Sequence, residues 1–170
     1  MPSDPLPALT ASERRLIVLV AAGASNQQIA ADPETRLRID DVRSAIETVL
    51  VTTGTRTTLQ LAAWAVAHRI VTQPVHPSGA LSIKPTLSPR RLQILRGWSG
   101  GRSTPELTAD FGISLPTMRG YCKELLSELN TDSQSQAVVV GVLAQLVLLS
   151  DIKPTWPAEP LALPLGGAAR

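Results

Sequence analysis

The stretch STPELTADFGISLPTMRGYCKELLSEL, residues 103–129, decides the fold. Ser103 and Glu106 have the S-x-x-E spacing of a capping box, in which side chain and backbone at a helix start satisfy each other. Gly112 stops that helix, because glycine enters the left-handed backbone of a helix end without a Cβ clash. Ser114 caps a second helix, on which Met118, Cys122, Leu125 and Leu129 share one face. Two short helices around a glycine-marked turn are how a helix-turn-helix is written in sequence. The opposite face of the second helix carries Thr117, Arg119, Gly120, Lys123 and Glu124. Arg119 and Lys123 stand one turn apart, a spacing that can reach a phosphate and a guanine edge. Gly120 costs the helix about 1 kcal/mol against alanine, yet lets backbone approach a groove.

Around this stretch the chain extends to four helices. Upstream, Ser88 caps a helix with Pro89 at its favoured first position, and downstream a helix is expected over about Ser133 to Leu149. The same order occurs earlier in the chain. Leu9 pairs with Leu87 at an offset of 87 − 9 = 78, as do Leu16 with Ile94, Ile17 with Leu95, Gly23 with Gly101, Ser25 with Ser103 and Ile29 with Leu107. Later the offset falls to 118 − 42 = 76, pairing Val42 with Met118, Arg43 with Arg119, Val49 with Leu125 and Gly54 with Asn130. The first block therefore holds two extra residues within Ala31 to Arg36, beside Pro33. Its helices are expected from the Thr10-x-x-Glu13 capping box to Ala22, from Ser25 to Ala31, over about Asp40 to Thr52, and over about Thr57 to Arg69. A period this long fits two copies of one domain, and is too long for a solenoid repeat.

Both blocks resemble the LuxR (GerE-type) helix-turn-helix. In the first block the likeness rests on Leu9-Thr10, Glu13, Leu16-Ile17, Leu19, Ala21, Gly23, Ser25-Asn26, Ile29-Ala30, Val42-Arg43 and Gly54. In the second it rests on Leu87-Ser88-Pro89-Arg90, Ile94-Leu95, Gly101, Ser103, Glu106-Leu107, Phe111 to Ser114, Thr117-Met118-Arg119 and Ala137-Val138. The resemblance implies a four-helix domain whose third helix enters the major groove and whose fourth mediates dimerisation. It also implies a bacterial transcription regulator of the cytoplasm, with a second copy where a receiver or ligand-binding module is usual. The sequence departs from the family pattern at Pro33, at Asp40 and Asp41, at Thr104-Pro105, at Gly120 and at Gln134.

The expected architecture is all-α: a leader at 1–8, one domain at 9–71, a Pro-containing linker at 72–86, a second domain at 87–150, and a Pro-rich disordered tail at 151–170. With 44% hydrophobic but only 3% aromatic residues, the core must be built from Leu, Val, Ile and Ala, which favours helices. The net charge of +2 permits nucleic-acid binding without demanding it. One cysteine excludes an internal disulfide, and Cys122 falls on a core face, equivalent to Ile46. Residues 1–7 lack the pattern of a secretory signal, and the apolar run Ala137 to Leu149 is too short to span a bilayer. His68 and His76 have no Cys or carboxylate at metal-ligand spacing, and no phosphate loop or nucleophile elbow is present. The chain therefore reads as no enzyme and as needing no metal or cofactor.

The expected partner is double-stranded DNA. Candidate contacts are Thr117, Arg119, Gly120, Lys123, Ser103 and Thr104 in the second block, and Ser25, Asn26, Arg36, Arg38, Arg43 and Ser44 in the first. The first recognition helix presents Asp40, Asp41 and Glu47 beside Arg43 and Ser44, and three carboxylates repel phosphate. The two aspartates also suit a helix N-terminus through its dipole. The alternative function is an adaptor, whose degenerate helix-turn-helix units bind the transcription machinery or another regulator. Both fourth helices are more apolar than one buried stripe requires. Leu61, Trp64, Ala65, His68, Val139, Leu143 and Leu146 are therefore expected to join the copies, either as a pseudo-dimer within one chain or as a homodimer.

Overall fold

In the computed structural model, residues 6–74 and 84–156 are described. Helix α1 (Ala11–Ala21) starts at the Thr10 capping box, with Glu13 N–H donating to the Thr10 hydroxyl and Thr10 N–H to the Glu13 carboxylate. Helix α2 (Asn26–Ala31) starts at a second such box between Ser25 and Gln28. A 3-10 turn at Ile39–Asp41 leads into α3 (Val42–Thr53), and α4 (Thr58–Ala67) is capped by Thr57. After the linker come α5 (Pro89–Ser99), α6 (Thr104–Phe111), α7 (Leu115–Glu128), α8 (Gln134–Leu143) and the short α9 (Leu149–Ile152). The described residues hold no strand.

The backbone irregularities fall in register between the two blocks. Gly23 and Gly101, 78 apart, both have positive φ. Arg36 with Gly112, Gly54 with Asn130, and Arg69 with Gln145, each 76 apart, do so too. Arg36 thus takes, at φ 55°, a conformation that a glycine supplies at φ 62° in the second block. The two inserted residues lie just before it and are pinned. Arg15 on α1 donates to Asp32 at 2.7 Å, and the buried Thr35 hydroxyl donates to the Ile29 carbonyl at 2.8 Å.

The third helices begin differently for a chemical reason. Ser114 caps α7 with its hydroxyl and Pro116 follows in the first turn, whereas at the equivalent position, 114 − 76 = 38, an arginine has no capping bond to offer. The first block therefore enters its helix through a 3-10 turn, and α3 starts two residues after the expected Asp40.

Every residue of α4 from Leu61 to Ala67 is buried, and so is every residue of α8 from Ala137 to Leu143. A helix apolar all round needs neighbours all round. Helix α4 packs on α8 and α1 chiefly, and also on α5 and α3; α8 packs on α4, α5, α1 and α7. One continuous core therefore runs through both blocks, with Leu16, Ile17, Leu61, Ile94, Leu95 and Leu143 among its fully buried members. Small residues make the close approach possible, since a Cβ on Gly141 would stand 2.6 Å from a Leu95 methyl.

The polar contacts across the blocks are reciprocal. Gln136 accepts from Asp132 N–H at 2.9 Å and donates to the Ala22 carbonyl of the other block at 2.9 Å. Gln60, its counterpart 76 residues earlier, accepts from Arg56 N–H at 2.7 Å and donates to the Gly100 carbonyl at 3.4 Å. Ala22 and Gly100 are themselves 78 apart.

The second block departs from expectation at its end. Its fourth helix stops at Leu143, where Gln145 turns into positive φ, rather than reaching Leu149. The tail expected to be disordered from 151 is ordered through Trp156, because α9 folds the chain back and buries the indole to 7% exposure. The rest of the expected tail, 157–170, the leader residues 1–5 and linker residues 75–83 lie outside the described residues.

Candidate nucleic-acid interface

The exposed face of α7 is built by what the buried face fixes. Met118, Leu125 and Leu129 are fully buried and Cys122 nearly so, which turns Thr117, Arg119, Gly120, Lys123 and Glu124 outward, all exposed. Burial pushes the Cys122 thiol above its ordinary pKa, so it stays neutral as a packing group. Thr117 is tied to the cap, its hydroxyl 2.9 Å from that of Ser114. Arg119 and Lys123 have no hydrogen-bond or ion-pair partner among the described residues. The carboxylates of the same helix are held instead, because Arg91 on α5 reaches both Glu124 and Glu128. The face left to solvent is cationic.

The equivalent face of the first block has another balance. Asp40, Asp41, Arg43, Ser44 and Glu47 are all exposed, and Arg43 pairs with Glu47 at 3.3 Å along the helix. Arg36 and Arg38, just before the 3-10 turn, are exposed with no ion-pair partner among the described residues.

The serine candidates sit at helix starts. Ser25 and Ser103 accept from Gln28 N–H and Glu106 N–H, leaving each hydroxyl proton to donate elsewhere, and Asn26 is exposed in the first turn of α2. Thr104 is differently engaged: its hydroxyl is half-buried and accepts from the indole N–H of Trp98 at 3.0 Å. The Ser103 N–H, first, and Arg56 from the other block hold the Glu106 carboxyl below its ordinary pKa. A cleft of about 550 Å³ lies between the blocks, lined at its rim by Asn26, Thr57, Thr58, Ser103, Thr104 and Ser133. The hydroxyls and N-termini of helices from both blocks therefore converge on one opening.

Of the residues expected to join the blocks, Leu61, Trp64, Ala65, Val139 and Leu143 are buried, while His68 and Leu146 are half-buried. The His68 ring stacks on Trp64 with centroids 4.2 Å apart. Two exposed apolar side chains were missed by sequence reasoning: Ile39 and Leu115, both 47% exposed, at equivalent positions ahead of Arg43 and Arg119. Their signal was the spacing of four, Leu115–Arg119–Lys123, which puts all three on one stripe of α7.

Comparison with protein families supports this reading of the second block. Residues 85–141 match the family model GerE, bacterial regulatory proteins, luxR family. This segment is similar to a LuxR-type helix-turn-helix domain. The match spans 141 − 85 + 1 = 57 of 170 residues and contains α5, α6, α7 and most of α8. No second match is found, so the two LuxR-type copies expected from the sequence are met by one. The first block carries the departures that separate it: the insertion beside Pro33, Arg38 in place of the capping Ser114, and Asp40-Asp41 in place of Pro116-Thr117. No curated protein and no solved structure matches the chain. Among the described residues no helix is long and apolar enough to cross a membrane.

Proposed function

We propose that the chain is a sequence-specific DNA-binding transcription regulator in which the LuxR-type domain at 85–141 reads the major groove through α7. The observation that carries this is the unpaired cationic face of Arg119 and Lys123, set apart from the helix's own carboxylates by Arg91. A helix of this kind places its N-terminal residues against base edges, with phosphate contacts setting the register. Thr117 and Gly120 lie to either side of Arg119 on the exposed face, and Ser103 offers a hydroxyl to phosphate.

The first block is a diverged copy of the same domain, serving as the intrachain partner through α4 on α8. In-register positive-φ residues and the reciprocal Gln60 and Gln136 bonds support descent from one repeated unit. Its contribution to DNA binding is the weaker, with Ser25, Asn26, Arg36 and Arg38 as phosphate contacts and Arg43 and Ser44 at the groove. The second reading, an adaptor for the transcription machinery or another regulator, draws on the exposed Asp40, Asp41 and Glu47.

Fluorescence anisotropy on genomic fragments across a salt series tests the proposal. DNA reading predicts log affinity falling linearly with log salt, at a slope of about −3 to −6 for this few cations. Absence of salt-sensitive binding would leave the adaptor.

A further inference from the structure

Leu115 is the first residue of α7, exposed to 47%, and lies one turn ahead of Arg119 and two ahead of Lys123 on one stripe of the helix. About half of this branched aliphatic side chain is left in water, and the core face of α7 is filled without it by Met118, Cys122, Leu125 and Leu129. The cap is made by Ser114 and needs nothing from Leu115. The first block keeps the feature: Ile39, 115 − 39 = 76 residues earlier and equally exposed, stands one turn ahead of Arg43. There the stripe continues to Glu47, which neutralises Arg43, so the apolar lead and a free arginine coincide only on α7.

We infer that Leu115 contacts the 5-methyl group of a thymine in the major groove, making it a specificity-determining residue beside Arg119. This rests on the DNA-reading role proposed for α7. The thymine methyl is the one apolar group that the major-groove edge of DNA displays, and aliphatic side chains read it. The N-terminal residues of a reading helix are those that reach base edges. Charge complementarity favours DNA over an apolar protein groove, because the same stripe carries two unpaired cations. Four residues of helix advance about 6 Å, close to two base-pair steps, so the thymine lies within about two base pairs of the base read by Arg119.

The test starts with duplexes selected by the full chain from a random 30-base-pair library. The tightest is resynthesised with each thymine in turn replaced by deoxyuridine, which removes only the methyl. At one position the replacement is expected to weaken binding about three- to tenfold, the worth of one buried methyl group. Leu115→Ala, an exposed change that leaves the unfolding temperature in place, is expected to bind the thymine duplex as weakly as the wild type binds the uracil one. It should also show no difference between the two. Uracil sensitivity at no position, or sensitivity undiminished in Leu115→Ala, overturns the assignment while leaving DNA reading by α7 intact. Leu115→Ala with unchanged affinity for every duplex also overturns it. A library that does not enrich sinks the underlying DNA-reading proposal itself.

Discussion

Replacing Gly101 by alanine tests whether the blocks touch where the Gln60 contact lies. Gly101 and Gly112 both lie at positive φ in the second block, so an alanine at either pays about 1–2 kcal/mol of backbone strain. Their surroundings differ. Nothing stands within 4 Å of a Cβ built on Gly112, whereas one on Gly101 meets Gln60 Oε1 at 2.8 Å and Cδ at 3.0 Å. Gln60 belongs to α4 of the other block, and moving it aside breaks its bonds to Arg56 N–H and the Gly100 carbonyl. At a net value of about 0.5–1 kcal/mol each, these two bonds put the total for Gly101→Ala at about 2–4 kcal/mol. Gly112→Ala stays at about 1–2 kcal/mol, from strain alone. In a Gln60→Ala background the excess disappears, a coupling of about 1–2 kcal/mol measurable by urea denaturation of the four variants. Equal costs for the two glycines, with no coupling to Gln60, would refute the contact between blocks.

Two more outcomes follow from the packing and the charges. Static light scattering is expected to give a monomer, because α4 and α8 satisfy each other within the chain; Trp64→Asp and Leu143→Asp should each abolish cooperative unfolding. A wild-type dimer that these variants dissociate would transfer the contact to a second chain. The hydrogen bond from Arg15 holds the Asp32 carboxyl below its ordinary pKa. A group depressed in the folded state adds stability above its unfolded pKa, about 3.9, and loses it as pH falls through the folded value. Asp32→Asn should therefore lower stability at neutral pH and make the wild-type advantage shrink below about pH 4, read from thermal unfolding at each pH.

Much of the fold was legible because local chemistry and tertiary packing agree. Ser88, Ser103, Ser114 and the Thr10 box each start the helix they announce, and Gly23 and Gly112 each end one. The core face of α7 followed from the 3.6-residue period alone. What failed to show was set by long-range contact. The stop after Leu143 depends on Gln145 entering the left-handed region, where the apolar run through Leu149 suggested continuation. Trp156 looked like part of a Pro-rich tail, and only the turn made by α9 brings the indole to the core. At the candidate interface, exposure of the α7 residues was readable. The pairing of Glu124 on that face was not, because its partner Arg91 is 33 residues away in sequence. The indole N–H that Thr104 accepts was equally hidden, although the Thr104 hydroxyl proton is still left to donate.

Anisotropy titration of one labelled, selected duplex with the Arg119→Ala and Arg43→Ala variants at fixed salt tests DNA reading by α7 most directly. Arg119→Ala should weaken binding by about 1–3 kcal/mol and relax base preference at one position, while Arg43→Ala, already paired to Glu47, should cost under about 0.5 kcal/mol. Binding abolished by Arg43→Ala and untouched by Arg119→Ala would contradict it.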